Sequence, residues 1–259
     1  MNFITNKLSG LRKRWKDLGY GILYLRSGDF AIPDSLWMNR AFKRFQFAGK
    51  DTGAFVYEFN EICINDCYEL KMLKTALGEV RSIVDIGANQ GLFLVAARKR
   101  FSKASLTGYE PNPGLKKVLG FNAASLDGNY YSEAVTKENC RIKLNFGESD
   151  LHTTSEVADN GDITGTSLRE VIQRQGGSID ILKLDCEGAE WVLFEDVDAW
   201  KAIAGITMEY HLWARPGYTE RHITDALTGL GFTILAHHPL SPQFGLITAV
   251  RKDRMGNRK

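Results

Sequence analysis

Residues Ile179-Asp180-Ile181-Leu182-Lys183-Leu184-Asp185-Cys186-Glu187-Gly188-Ala189-Glu190 end an apolar run in three carboxylates, Asp185, Glu187 and Glu190. Such a run, bounded by turn residues, reads as a buried strand with the acids near its carboxyl end. Lys183 and Asp185 share a face by the period of two, and a buried Lys183 needs a counter-charge. A second run, Gly205-Ile206-Thr207-Met208-Glu209-Tyr210-His211, puts Glu209 and His211 on one face. Carboxylates and an imidazole gathered at strand ends can take and deliver protons. His211 is the first candidate for a general base, with Asp185 and Glu187 next; Glu209 and Lys183 complete the candidate catalytic group. The competing readings are a satisfied buried histidine and a structural Lys–Asp pair. The acids could hold a metal, but no ligand spacing demands one, and none is expected.

Chemistry of this kind needs a partner, and Ser82-Ile83-Val84-Asp85-Ile86-Gly87-Ala88-Asn89-Gln90-Gly91 points to one. A strand, a glycine-bounded turn and a helix open a βαβ unit whose first helical N–H groups face a crevice. A dinucleotide fingerprint would be G-x-G-x-x-G; here the spacing is G-x-x-x-G, with Asn89 in place of the middle glycine. Asp85 would repel a pyrophosphate and suit an ammonium or sulfonium group, which favours S-adenosylmethionine over a nicotinamide cofactor. Ala88 and Gln90 complete the turn. About 20 residues on, Glu110-Pro111-Asn112-Pro113 ends a second strand, where an acid can accept from a ribose diol. Glu133 falls at the end of a third strand, within reach of an adenine edge.

The remaining segments must position these groups. Strands are expected at 104–109, 130–135, 140–146, 179–184, 205–213, 232–237 and 244–250, the last two as an antiparallel hairpin. Helices are expected at 90–101, up to about 175 behind Thr166 or Ser167, and at 219–230. Residues 147–165 read as a long polar loop. Phe45-Gln46-Phe47 and Phe55-Val56-Tyr57-Glu58-Phe59 read as a hairpin. Glu61–Ile64 adds a strand, and Asp66 caps a helix to Leu77. Asp66, Tyr68 and Glu69 could meet substrate, though a solvated helix start is the plainer role.

Three regions follow: an N-terminal cap over 1–78, a cofactor-binding domain over 79–252 and a charged tail over 253–259. In residues 3–18, Ile4, Leu8, Leu11, Trp15 and Leu18 line one helical face among Lys7, Arg12, Lys13, Arg14 and Lys16. A basic amphipathic helix of this kind can make a peripheral contact with an anionic membrane; docking on its own domain or on a second subunit is favoured, because Ser9-Gly10 weakens the helix. The chain of 259 residues is 44% hydrophobic and 25% charged with net charge +2, an ordinary globular balance that does not argue for nucleic acid. Its four cysteines, without C-x-x-C spacing, read as reduced thiols of a cytoplasmic protein.

VDIGANQG, YEPNP and IDILKLDCEGAE together resemble the FkbM family of methyltransferases, with matching motifs between Ile83 and His211. The resemblance implies a Rossmann-like class I methyltransferase fold, α/β, mostly parallel, seven strands with a C-terminal antiparallel hairpin. It implies O-methyl transfer from S-adenosylmethionine, often to sugar hydroxyls of glycans, glycolipids or glycosylated metabolites. It further implies that Asp85, Gly87, Asn89 and Gly91 line the methionine end, and that Glu110, beside Pro111 and Asn112, holds the ribose. Glu133 and Ala134 would hold the adenine, and Asp185 would face the transferring methyl. A catalytically silent adenosylmethionine binder is the alternative, and a nicotinamide oxidoreductase a weaker one.

Overall fold

The computed structural model describes residues 15–22, 31–146, 153–158 and 160–254. After a helical turn at 15–19 the chain forms a hairpin of β1 (Ser35–Met38) and β2 (Ala41–Arg44), turning through Asn39 and Arg40, both at positive φ. A tight hairpin turn requires that geometry, but Asn-Arg is not the Asn-Gly that announces it. The hairpin expected over 45–59 is overturned. Residues 53–59 form α1 (Gly53–Phe59), and the strand expected at 61–64 is a wider helical turn over Asn60–Ile64. Thr52 caps α1 by accepting from the Phe55 N–H at 3.3 Å. Phe55 and Phe59, four apart, are buried while Tyr57 is exposed; a strand would have turned all three to one face. α2 (Leu70–Leu77) begins on Asp66, whose carboxylate accepts from the Leu70 and Lys71 N–H groups.

The cofactor-type unit follows as β3 (Ser82–Ile86), α3 (Leu92–Arg100), β4 (Ser105–Tyr109), α4 (Lys116–Ser125) and β5 (Asn129–Tyr131). The expected third strand splits at Ser132, because β6 (Glu133–Thr136) leaves the main sheet. With β7 (Cys140–Phe146), β8 (Thr153–Val157) and β9 (Ile163–Ser167) it makes a four-stranded sheet in the order β6-β9-β7-β8. The expected 147–165 loop therefore contains β8 and most of β9; residues 147–152 lie outside the described ones. α5 (Leu168–Arg174), capped by Ser167, leads to β10 (Ile179–Leu184), α6 (Glu190–Leu193), α7 (Val197–Trp200), β11 (Ile203–His211), α8 (Glu220–Gly229), β12 (Phe232–Pro239) and β13 (Phe244–Arg251).

Among the described residues the main sheet has seven strands in the order β12-β13-β11-β10-β3-β4-β5, and β13 runs opposite to the other six. This is the mostly parallel, seven-stranded sheet with a C-terminal antiparallel hairpin that the resemblance implies. Strand order reverses between β3 and β10, so the loops leaving these strands part above their carboxyl ends and open a crevice. β3 is buried at all five positions, as a central parallel strand covered on both faces must be. Its residues alternate between two cores: Ile83 packs with Phe45, Phe59, Leu73 and Phe93, whereas Val84 and Ile86 pack with Leu184, Trp200 and Tyr210. The N-terminal cap thus shares the core on one face of the sheet. Of the expected basic helix over 3–18, residues 3–14 lie outside the described ones; Trp15 and Leu18 are exposed and Asp17 is buried. Residues 252–254 form one short turn, and 255–259 lie outside the described residues. All four cysteines are unbridged.

Candidate active site

The floor of the crevice is the turn from β3 to α3. Gly87 sits at φ +77°, and a Cβ there would lie 1.7 Å from the Asp185 carbonyl oxygen. Two βα turns meet at this point, and only glycine lets them close. The Gly87 and Ala88 N–H groups both donate to the Tyr109 carbonyl at 3.0 Å, locking the turn to β4. Glu110 takes the Asn89 N–H on one carboxylate oxygen and the Asn112 N–H on the other, both at 2.9 Å. Burial raises its pKa despite these bonds. The resulting cleft, about 170 Å³, is lined by Gly87, Asn89, Glu110, Pro111, Asn112, Glu133, Ala134, Asp185 and Glu187 among the residues singled out in the sequence.

Others do not reach it. Asp85 lies beneath the floor, fully buried, with Lys183 Nζ at 3.0 Å as an ion pair. The strand register sets Asp85 directly beside Lys183, so its charge is met by the protein and not by a cationic ligand. Gln90 exchanges hydrogen bonds with the Ala48 backbone and fastens the cap. Ala88 and Gly91 shape the turn from below. Glu133 lines the cleft while paired with Arg174 at 2.7 Å, and Arg174 also lies over the Tyr131 ring, itself stacked on Tyr109. That aromatic wall was not foreseen; the Tyr109 and Tyr130-Tyr131 strand ends were its only signal.

Beyond the floor, polar groups gather at the ends of β10 and β11. Lys183 is buried; Nζ donates to the Gly87 carbonyl at 2.7 Å and lies 3.5 Å from Asp185 Oδ2. Burial alone would lower its pKa, but Asp85 and Asp185 outweigh that and keep it protonated. The Tyr68 hydroxyl, 3.0 Å away, donates to Asp185 Oδ2. Tyr68 is buried and faces the site, whereas Asp66 and Glu69 at the same helix start stay part-exposed, beside Arg100 and His238. Glu190, read from the sequence as a third acid at the mouth, is fully buried. Its carboxylate takes the His211 N–H at 2.8 Å and the Gly188 N–H at 2.9 Å, and lies 3.1 Å from His211 Nδ1. The other ring nitrogen faces Glu209 at 3.5 Å and Glu187 at 3.8 Å. Burial would lower the His211 pKa; the bonds to Glu190 and Glu209 outweigh it and push it up to about 10. At neutral pH the ring is therefore an imidazolium, which holds a proton and cannot take one. From the cap, Glu58 is raised by burial and by the charge of Asp185; nothing in the helical pattern of its segment marked it. Asp185, Glu209 and His211 bring donor atoms within 4.8 Å of one another, a set of the kind that binds divalent ions, here already engaged with Tyr68, Lys183 and Glu190.

A larger cavity of about 640 Å³ adjoins the cleft, sharing Val135, Glu187 and Ala189 with it. Its walls come from β6, β7, α6 and the segment after β11: Val135, Ile142, Val192 and Trp213, with Lys137, Glu138, Asn139 and Arg215 among the polar groups. The cleft alone is smaller than the ~300–1,000 Å³ usual for small-molecule sites; the two together fall within that range. Glu187, at φ +52°, stands where they meet.

A family model described as the methyltransferase FkbM domain matches residues 85–234, more than half of the chain. The methyltransferase sdnD of Sordaria araneosa is 27% identical over an alignment covering 77% of this chain and 90% of that protein. Among solved structures, magnesium protoporphyrin IX methyltransferase from Synechocystis PCC 6803 aligns with a TM-score of 0.46 and 11% identity, covering 76% of this chain and 82% of that one. The Methanococcus jannaschii fibrillarin pre-rRNA processing protein aligns at 0.46 and 9%, covering 68% and 69%.

Proposed function

The chain belongs to the FkbM methyltransferase family, S-adenosylmethionine-dependent methyltransferases, and on that premise we propose that it transfers the methyl group to a sugar hydroxyl of a glycan, glycolipid or glycosylated metabolite. S-Adenosylmethionine supplies a sulfonium-bound methyl, which reacts by in-line displacement. The residues present fit such a cofactor. Glu110 uses one lone pair on each oxygen for backbone N–H groups and keeps others for a ribose diol. Asp185, Glu187 and Glu209 make the neighbouring wall acidic, which favours a cationic sulfonium.

One observation carries the proposal: the acceptor-sized cavity meets the cofactor-type cleft at Glu187, beside a charged His211. In this reading the acceptor lies in the larger cavity with its sugar ring on the exposed Trp213 face. Much of the rate comes from holding hydroxyl and methyl in line. Glu187 takes the hydroxyl proton as the new C–O bond forms, and the His211 imidazolium offsets negative charge developing on the oxygen. Tyr68 and Lys183 hold Asp185 beside the reacting centre. The base role thus moves from His211, which the sequence suggested first, to the carboxylate next to it.

The test is Glu187→Gln assayed with a panel of glycoside acceptors. Turnover should fall by about 10²-fold or more, while the rise in melting temperature with S-adenosylmethionine is unchanged. Unchanged turnover removes Glu187 from the role. Cofactor binding by the unaltered protein without methyl transfer to any acceptor would favour the silent binder.

A further inference from the structure

Among the described residues, four of the large hydrophobic side chains left exposed fall before residue 43: Trp15 (74%), Leu18 (47%), Trp37 (40%) and Phe42 (59%). Trp37 and Phe42 face each other across β1 and β2, edge to face at 5.1 Å. The 15–19 turn is tied to them: the Trp37 N–H donates to the Tyr20 carbonyl at 2.8 Å, and Gly21 lies against the Phe42 ring. A cross-strand aromatic pair exposed to water contributes little to the core and marks an interaction site.

The chemistry around it is basic. Arg40 at the hairpin tip and Arg44 on β2 are exposed, whereas Asp17, the acid of the 15–19 turn, is fully buried. Arg12-Lys13-Arg14 immediately precede Trp15 in the sequence. Beside the hairpin a groove of about 440 Å³ is lined by Lys43, Arg98, Lys103 and Asp127; Asp127 pairs with Lys43 at 3.4 Å, and Lys103 is exposed.

We propose that this surface docks the enzyme on a bilayer containing anionic phospholipids, with the Trp37–Phe42 pair entering the interfacial layer and Arg40 and Arg44 meeting headgroup phosphates. Aromatic rings prefer that layer, and each cation near an anionic surface adds attraction that salt screens. The orientation follows from the fold. Asn39 Nδ2 donates to the Arg98 carbonyl, and Lys99 Nζ to the Trp37 carbonyl, fixing the hairpin at the carboxyl end of α3. The cleft lies at the other end of that helix, about 14 Å away at 1.5 Å per residue. Docking therefore leaves the cleft open, and membrane and cofactor bind independently.

The experiment is co-sedimentation of the full chain with vesicles of phosphatidylcholine alone or mixed equally with phosphatidylglycerol, at low and high salt. The expected result is binding to the mixed vesicles only, weakened by salt, and reduced about tenfold or more in Trp37→Ala/Phe42→Ala. The cofactor-induced rise in melting temperature should be retained. If that variant loses the rise, Arg40→Glu/Arg44→Glu gives the same test without touching the aromatic pair. No preference for anionic vesicles, or binding unaltered by the substitutions, overturns the proposal. So does a dimer in solution that Trp37→Ala/Phe42→Ala abolishes, which would make the surface a contact between two copies.

Discussion

Glu190→Gln isolates the charge that keeps His211 protonated. Glu190 is fully buried, and the near-isosteric Gln can still accept the His211 N–H on its one amide oxygen, while its NH2 then meets the Gly188 N–H; the change removes the charge and one hydrogen bond and keeps the shape. The folded-state pKa of His211 is raised from 6.5 to about 10. The folded state thus binds the proton more tightly than the unfolded one, and the stabilisation is full below about pH 6.5 and lost as pH rises through 10. At about 1.4 kcal/mol for each tenfold change the ceiling is about 5 kcal/mol. Glu209 and Asp185 share the interaction, so removing Glu190 should take away about 2–3 kcal/mol of it. The assay is urea unfolding of both proteins at steps from pH 6.5 to 10. The stability of the unaltered protein should fall with pH more steeply than that of Glu190→Gln, so that the two curves converge. Parallel curves would refute the reasoning, and so would an imidazole proton resonance of His211 that titrates near its ordinary value.

Gly87→Ala should abolish the cofactor-induced thermal shift, because its Cβ meets the Asp185 carbonyl at 1.7 Å and the positive φ offers no relief. Lys183→Met strands Asp85 in the core and should cost about 3–5 kcal/mol in urea unfolding; Lys183→Met/Asp85→Leu should recover much of that loss. Glu110→Ala should weaken S-adenosylmethionine binding by about tenfold or more in calorimetry, since it removes the anchor of Asn89 and Asn112 along with the ribose acceptor.

The main sheet and most of the residues that line the crevice are legible in the amino-acid order. Ser82–Ile86 and Ile179–Leu184 are apolar enough to be central strands wherever they pack, and the residues that follow such strands must lie at the crevice. Gly87, Asn89, Glu110 and Asp185 were legible for that local reason. Tertiary structure decided what the side chains do there. Asp85 and Lys183 are far apart in sequence and become a buried pair only through register. Glu190 looks like a third mouth acid until the helix that starts there turns it inward onto His211, and that contact converts a candidate base into a held cation. The cap was misread because Phe55 and Phe59 fit a strand as well as a helix, and only burial against the sheet chose between them. The acceptor-sized cavity exists because the chain leaves the main sheet at Ser132 and pairs β6 with β9, a long-range choice that no local pattern in these residues dictates.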